Sequence, residues 1–201
     1  MVILGLTGSI GSGKTATAAM FRARGVPVHD ADAAVHRLYG KGGAAVEPVA
    51  AAFPGVEVDG RIDRQRLSAR VVDDKAALRR LEAIVHPLVR KEEVAFLADA
   101  RARRLRLVVL EIPLLFETGG DQRCDLVVTV TAPPEILRER VLSRPGMSEE
   151  KLASLLAQQT SDEEKRRRSH FVIDTAHGFE AAEKQVDDII RALAGLPGRP
   201  A

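Results

Sequence analysis

Four short apolar runs rich in β-branched residues mark the chain: Val2–Leu6, Val26–His29, Leu107–Ile112 and Leu126–Thr131. A fifth, Phe171–Asp174, comes late. Such runs, apolar at nearly every position, predict strands buried on both faces, as in a parallel sheet. Helical patterns alternate with them, which predicts a doubly wound α/β sheet. Gly25 falls where the first helix should stop. Pro133-Pro134 should open a helix through Ile136, Leu137, Val141 and Leu142, since proline is tolerated in a first turn. Phe179, Ala182, Val186, Ile189, Ile190 and Leu193 recur at helical spacing and are expected to cover the sheet as a final helix. Gly195-Leu196-Pro197-Gly198-Arg199-Pro200 reads as a frayed tail.

Two stretches fall outside this minimal sheet. Residues 32–106 show no clear buried strand and are rich in alanine and arginine, with helical runs near Lys75–Val85 and Leu88–Arg103. Residues 144–169 read as a charged helical hairpin between two strands. Insertions at the carboxyl edge of a doubly wound sheet sit where ligands bind. The simplest division is one domain with a core of about 1–31, 107–143 and 170–194, an acceptor-binding insertion at 32–106, a lid at 144–169 and a tail at 195–201.

The first strand leads straight into Gly8-Ser9-Ile10-Gly11-Ser12-Gly13-Lys14-Thr15, which fits G-x-x-x-x-G-K-[ST] in the strand–loop–helix setting the pattern requires. Glycines let successive backbone N–H groups turn inward onto phosphate oxygens. The helix opening near Gly13 adds unpaired N–H groups and the positive end of its dipole. Lys14 is expected to reach the β- and γ-phosphates, and the Thr15 hydroxyl to ligate Mg²⁺. The expected fold class is therefore α/β, a P-loop NTPase-type doubly wound parallel sheet with a helical substrate-binding insertion and a helical lid.

Composition narrows the partners. Of 201 residues only 3% are aromatic, so the core rests on Ala, Val, Leu and Ile, and a base-stacking surface for single-stranded nucleic acid is disfavoured. A formal charge of +2 permits an anionic substrate without identifying one. The single cysteine, Cys124, excludes an internal disulfide, suits a reducing compartment and has no basic motif beside it that would make it a nucleophile. No apolar run approaches the roughly 18 residues expected of a membrane span. A cytoplasmic protein is expected, a monomer or weak homo-oligomer, with no nucleic-acid or membrane partner.

Several side chains outside the loop could carry chemistry. Asp30 and Asp32 follow the second strand, where a carboxylate could take a proton from an attacking hydroxyl or help hold Mg²⁺. Either could equally cap the next helix, and spacing leaves both roles open. Glu111 closes the strand that carries a metal-side acid in phosphate-loop enzymes. Pro113-Leu114-Leu115-Phe116-Glu117 reads as a turn with an apolar anchor. His86-Pro87 is expected to end an apolar helix, with no second histidine or cysteine at metal-ligand spacing. Arg138, Arg140 and Arg144 surround the lid entrance, the last two on one helix face, where solvation and phosphate contact are both open. For Lys165-Arg166-Arg167-Arg168 a solvated face is the favoured reading.

Together these pieces resemble the dephospho-coenzyme A kinase family from Leu4 to about Leu193. The resemblance rests on Gly5-Leu6-Thr7-Gly8-Ser9-Ile10-Gly11-Ser12-Gly13-Lys14-Thr15, on Asp30-Ala31-Asp32, on Leu81-Glu82-Ala83-Ile84-Val85-His86-Pro87, on Ile112 to Glu117, and on Phe171-Val172-Ile173-Asp174, in that order. It implies ATP-dependent phosphorylation of the ribose 3′-hydroxyl of dephospho-coenzyme A, with Mg²⁺. It implies Asp32 as base, Lys14 on the transferring phosphate, Arg140 and Arg144 near the nucleotide and lid with Arg140 among the catalytic residues, and Thr175 in the loop beside adenine. His86, Pro87 and Leu114 then fall on the acceptor side. Three positions depart from the family pattern: Glu111 for aspartate, Thr175 for asparagine, and Leu155 for a lid arginine.

Other readings use the same loop differently. Another small-molecule kinase would differ in its acceptor. A GTPase-like switch needs an N-K-x-D sequence after a strand, where this chain has Val130-Thr131-Ala132-Pro133. A nucleic-acid module would rest on residues 165–168 with Arg101, Arg103, Arg104 and Arg106, and would bind with steep salt dependence.

Overall fold

A computed structural model describes residues 1–72 and 74–196. The tail beyond Leu196 lies outside the described residues. Two compact units emerge: Met1–His29 with the chain from Ala100 onward, and Asp30–Asp99.

The first unit is built on a five-stranded sheet in the order β2-β5-β1-β6-β7. Its strands are β1 (Val2–Gly8), β2 (Val28–Asp30), β5 (Leu107–Glu111), β6 (Leu126–Thr131) and β7 (Phe171–Asp174). β1 runs parallel to β5 and to β6, and β6 parallel to β7. The α/β class with a parallel sheet is as the sequence predicts. β1 continues two residues beyond the expected Leu6, to Gly8. β2 begins later than expected, at Val28.

Alternation along β1 builds a layer on each face. Val2, Leu4 and Leu6 pack with Ala18, Met20 and Phe21 of α1 (Lys14–Ala23) and with Ala182, Val186, Ile189 and Leu193 of α9 (Gly178–Leu193). On the other face, Thr129 of β6 hydrogen-bonds Ser169 at 2.6 Å, just past α8 (Asp162–Arg168). α6 (Pro134–Leu142) starts on Pro134 and α7 (Glu149–Ala157) is capped by Ser148. Cys124 is buried and unbridged. Phe179 departs from the expected packing: it is 72% exposed and does not cover the sheet. The first turn of α9 lies beyond the apolar stripe, which starts at Ala182.

The second unit is helical: α2 (Ala31–Tyr39), α3 (Val46–Ala52), α4 (Arg64–Val71) and most of α5 (Lys75–Ala102), with a two-residue hairpin, β3 (Glu57–Val58) and β4 (Arg61–Ile62). Its core gathers Leu38, Tyr39, Val49, Phe53, Val56, Ile62, Leu67, Val71 and Val85. The expected break at His86-Pro87 does not occur. α5 runs unbroken through Pro87, replacing the two helical runs with one. Proline there removes the bond to the carbonyl of Ala83, a cost of about 3 kcal/mol in a helix interior. Leu81, Ile84 and Val85 before it, and Leu88 and Val89 after it, pack on the same core. That stripe holds the helix together across the missing bond. Among the described residues no helix is long and apolar enough to cross a membrane.

Phe21 is fully buried between α9 and the sheet. Phe21→Ala should destabilise the chain by about 3–5 kcal/mol, since it deletes a ring from a packed interior. Equilibrium urea unfolding measures this.

Candidate active site

The loop between β1 and α1 is shaped by glycine. Gly11 and Gly13 adopt φ of 84° and 87°, the left-handed region that other residues enter with strain. At Gly8 a Cβ would lie 2.5 Å from the carbonyl oxygen of Val130, so any side chain there would push β1 away from β6. Gly13 is the N-cap of α1 and offers no side-chain cap, and the first turn of the helix has no acidic residue. Its first N–H groups therefore stay available, at the positive end of the helix dipole.

Lys14 opens α1 and its Nζ donates to Glu111 Oε1 at 2.7 Å. The register pairs Leu6 with Glu111, which sets the carboxylate at the end of β5 beside the loop. Glu111 is 1% exposed, and its Oε2 accepts from Arg22 Nη2 at 3.5 Å. One buried carboxylate thus lies between two cations, the arrangement that makes a buried charge tolerable. Thr15 is exposed on the first turn of α1. A hydroxyl and a carboxylate are hard oxygen donors, the type Mg²⁺ takes together with phosphate oxygens and water, so the donor set fits that ion. Among the described residues no group of three or more His, Cys, Asp or Glu could form a metal cage.

Arg140 is firmly held. Its Nη1 donates to Thr175 Oγ1 and its Nη2 to the Thr175 carbonyl, both at 2.8 Å, with a longer contact of 3.4 Å to the Gly11 carbonyl. Thr175 Oγ1 in turn donates to the Ser12 carbonyl at 2.9 Å. The expected pairing of Arg140 and Arg144 on one helix face is not found, because α6 ends at Leu142. Both arginines nevertheless line one cleft of about 340 Å³, together with Gly11, Gly13, Thr175 and Phe179. The cleft adjoins the glycine loop and is largely apolar, as a site for a flat base should be.

Arg138 donates to Glu149 at 3.2 Å and is taken up in joining α6 to α7. Leu114 is 37% exposed, whereas Leu115 and Phe116 are buried as the anchor of their turn. The helical unit holds the remaining candidates. Asp30 is the N-cap of α2, its Oδ1 accepting from Ala33 N at 2.9 Å. This leaves Asp32, exposed in the first turn, with no capping duty. His86 and Pro87 are exposed on α5.

Two contacts to the loop were not foreseen. Lys165, expected in a solvated run, is fully buried, while residues 166–168 remain exposed. A seven-residue helix lying on the sheet turns one of four consecutive cations inward, and the inward one finds Glu117 Oε1 at 3.6 Å. Burial lowers the pKa of its ammonium from the ordinary lysine value, against the opposing pull of Glu117. Gln159, between α7 and α8, accepts from the Ile10 N–H of the loop at 3.3 Å. In the sequence Lys165 is one of four consecutive cations and Gln159 one of two consecutive glutamines, and neither carries a sign of its contact.

A family model described as dephospho-CoA kinase matches residues 2–180. The dephospho-CoA kinase of Mesorhizobium japonicum is 61% identical over 198 residues, covering 98% of this chain and 100% of the relative. That of Bradyrhizobium diazoefficiens is 53% identical over 201 residues, with both chains fully covered. Among solved structures, TT1252 from Thermus thermophilus superposes with a TM-score of 0.81 at 38% identity, covering 98% of each chain. The dephospho-CoA kinase from Campylobacter jejuni, at 22% identity and a TM-score of 0.65, shares the fold over 95% of this chain and 96% of its own. With its glycine loop, parallel sheet and full-length relatives, the chain belongs to the dephospho-CoA kinase family.

Proposed function

We propose that this chain transfers the γ-phosphoryl group of ATP to the ribose 3′-hydroxyl of dephospho-CoA, giving CoA. The observation that carries the reading is the glycine loop. Two left-handed glycines and an uncapped helix start frame Lys14 beside a buried carboxylate, in a chain that matches the family over residues 2–180.

The roles follow from the chemistry of each group. Within residues 8–15, the N–H groups of Gly11, Gly13 and the uncapped first turn of α1 bind the phosphates. Lys14 exchanges Glu111 for the β- and γ-phosphate oxygens. Thr15 and Glu111 would hold Mg²⁺, which supplies charge neutralisation on the phosphates when bound. The base enters the cleft beside Arg144, Thr175 and Phe179, with Arg140 holding the Thr175 loop in place. Asp32 accepts the proton of the ribose hydroxyl as it attacks. His86, Pro87 and Leu114 act on the acceptor side, residues 32–106 as the acceptor-binding insertion and residues 144–169 as the lid. Phosphoryl transfer asks chiefly for position and charge stabilisation, and these groups supply both. A cytoplasmic monomer or weak homo-oligomer completes the reading.

A coupled ADP-release assay over dephospho-CoA, adenosine and shikimate tests the function. ADP release with dephospho-CoA alone, and CoA as the product by mass, is expected; turnover of another acceptor in its place overturns it. Asp32→Asn should lower kcat by about 10²–10⁴-fold. Calorimetry should find its ATP affinity unchanged, and an unaltered kcat removes Asp32 from the chemistry. Phe179→Ala should weaken ATP binding by about tenfold, the range of one lost base stack. Affinity for inorganic tripolyphosphate, which has no base, should stay the same.

A further inference from the structure

Lys165 has no role of its own above beyond lying within the lid stretch, yet it is a fully buried cation beside the phosphate loop. Its Nζ lies 3.5 Å from Ser9 Oγ and 3.6 Å from Glu117 Oε1. Glu117 Oε1 also accepts from Thr160 N at 2.6 Å. The lysine starts from a fixed point: its own carbonyl accepts from Ser169 Oγ at 2.8 Å, and Ser169 is bonded to Thr129 of β6. Asp162, at the start of α8, accepts from Thr131 Oγ1 at 2.8 Å. The α7–α8 hairpin is therefore anchored to β6 and reaches two successive loop residues, Ser9 through Lys165 and Ile10 through Gln159.

The network around this ammonium is incompletely paired. Glu117 Oε2 and Asp162 Oδ1 are buried with no hydrogen-bond partner in the structure. Burying a charge that is paired only at these long distances costs stability. A neutral side chain of similar length would fill the same space without that penalty, so packing does not explain the ammonium.

We propose that Lys165 is a positioning residue for phosphoryl transfer: from the α7–α8 hairpin, balanced by Glu117, it fixes Ser9 and with it the entrance of the phosphate loop. It acts through the loop and not on the substrate. The loop keeps its N–H groups without it and still binds a triphosphate, but its entry residues lose their alignment with the reacting group. A displacement of about 1 Å at such a point costs on the order of a hundredfold in rate.

This inference rests on the kinase reading, and four variants separate the two. Lys165→Met should lower kcat with dephospho-CoA about 10–100-fold, change the KM for ATP by less than about threefold, and lower the melting temperature by leaving Glu117 unbalanced. The double variant Lys165→Met, Glu117→Gln removes that charge. It should recover the melting temperature while kcat stays low, and it supplies the measurement if the single variant does not fold. Ser9→Ala should lower kcat, and adding it to the double variant should lower kcat no further. Recovery of wild-type kcat in the double variant would show that Lys165 only neutralises Glu117, and overturns the proposal. Additive losses from Ser9→Ala overturn it as well, because the lysine would not be acting through that residue. A wild-type chain that turns over no dephospho-CoA overturns the kinase reading, and this inference with it.

Discussion

The site depends on the register of one central strand. β1 is hydrogen-bonded on both sides, to β5 and to β6, so it cannot slide without breaking two ladders. A shift of one residue would also swap its buried faces, moving Val2, Leu4 and Leu6 off the cluster they form with α1 and α9. With the register fixed, Leu6 lies opposite Glu111 and Gly8 opposite Val130. The first pairing places the buried carboxylate beside Lys14. The second brings the loop so close to the Val130 carbonyl that only glycine fits. Packing of apolar side chains along the first strand thus determines where Lys14, Glu111 and the glycine loop lie.

A second layer of constraint holds the far end of the loop. Thr175 follows β7, accepts from Arg140 and donates to the Ser12 carbonyl. An arginine on α6, a threonine after β7 and the loop are thereby joined through one hydroxyl. Arg140 matters as much for the backbone it holds as for its charge. Arg140 and Thr175 also line the cleft that Arg144 and Phe179 share with the loop.

Much of this was legible in the sequence because its signals are local. The strands show as short β-branched runs, and the loop shows as glycines and a lysine at fixed offsets. Even Glu111 could be picked out from its place at the end of a strand. What was hidden depends on neighbours far along the chain. Pro87 looks like a helix end until the apolar stripe on both sides of it is seen packed on one core. Lys165 looks like its three neighbours until the sheet beneath α8 turns it inward. Phe179 has helical spacing with the core residues, but lies one turn too early to be covered. Asp30 and Asp32 are alike in sequence, and only the hydrogen bond to Ala33 N tells the capping residue from the free one.

The bond between Lys14 and Glu111 bears on how the protein meets its ligand. A lone ammonium in a glycine cradle would attract any passing anion, and loading it would release the mobile ions gathered around it. Here the lysine already has an internal counterion, so in the proposed mechanism nucleotide uptake exchanges one anionic partner for another. Less charge is newly neutralised at that nitrogen, which makes its share of the affinity less sensitive to ionic strength. The N–H groups at the start of α1, which no side chain caps, carry the rest of the cradle's pull on an anion.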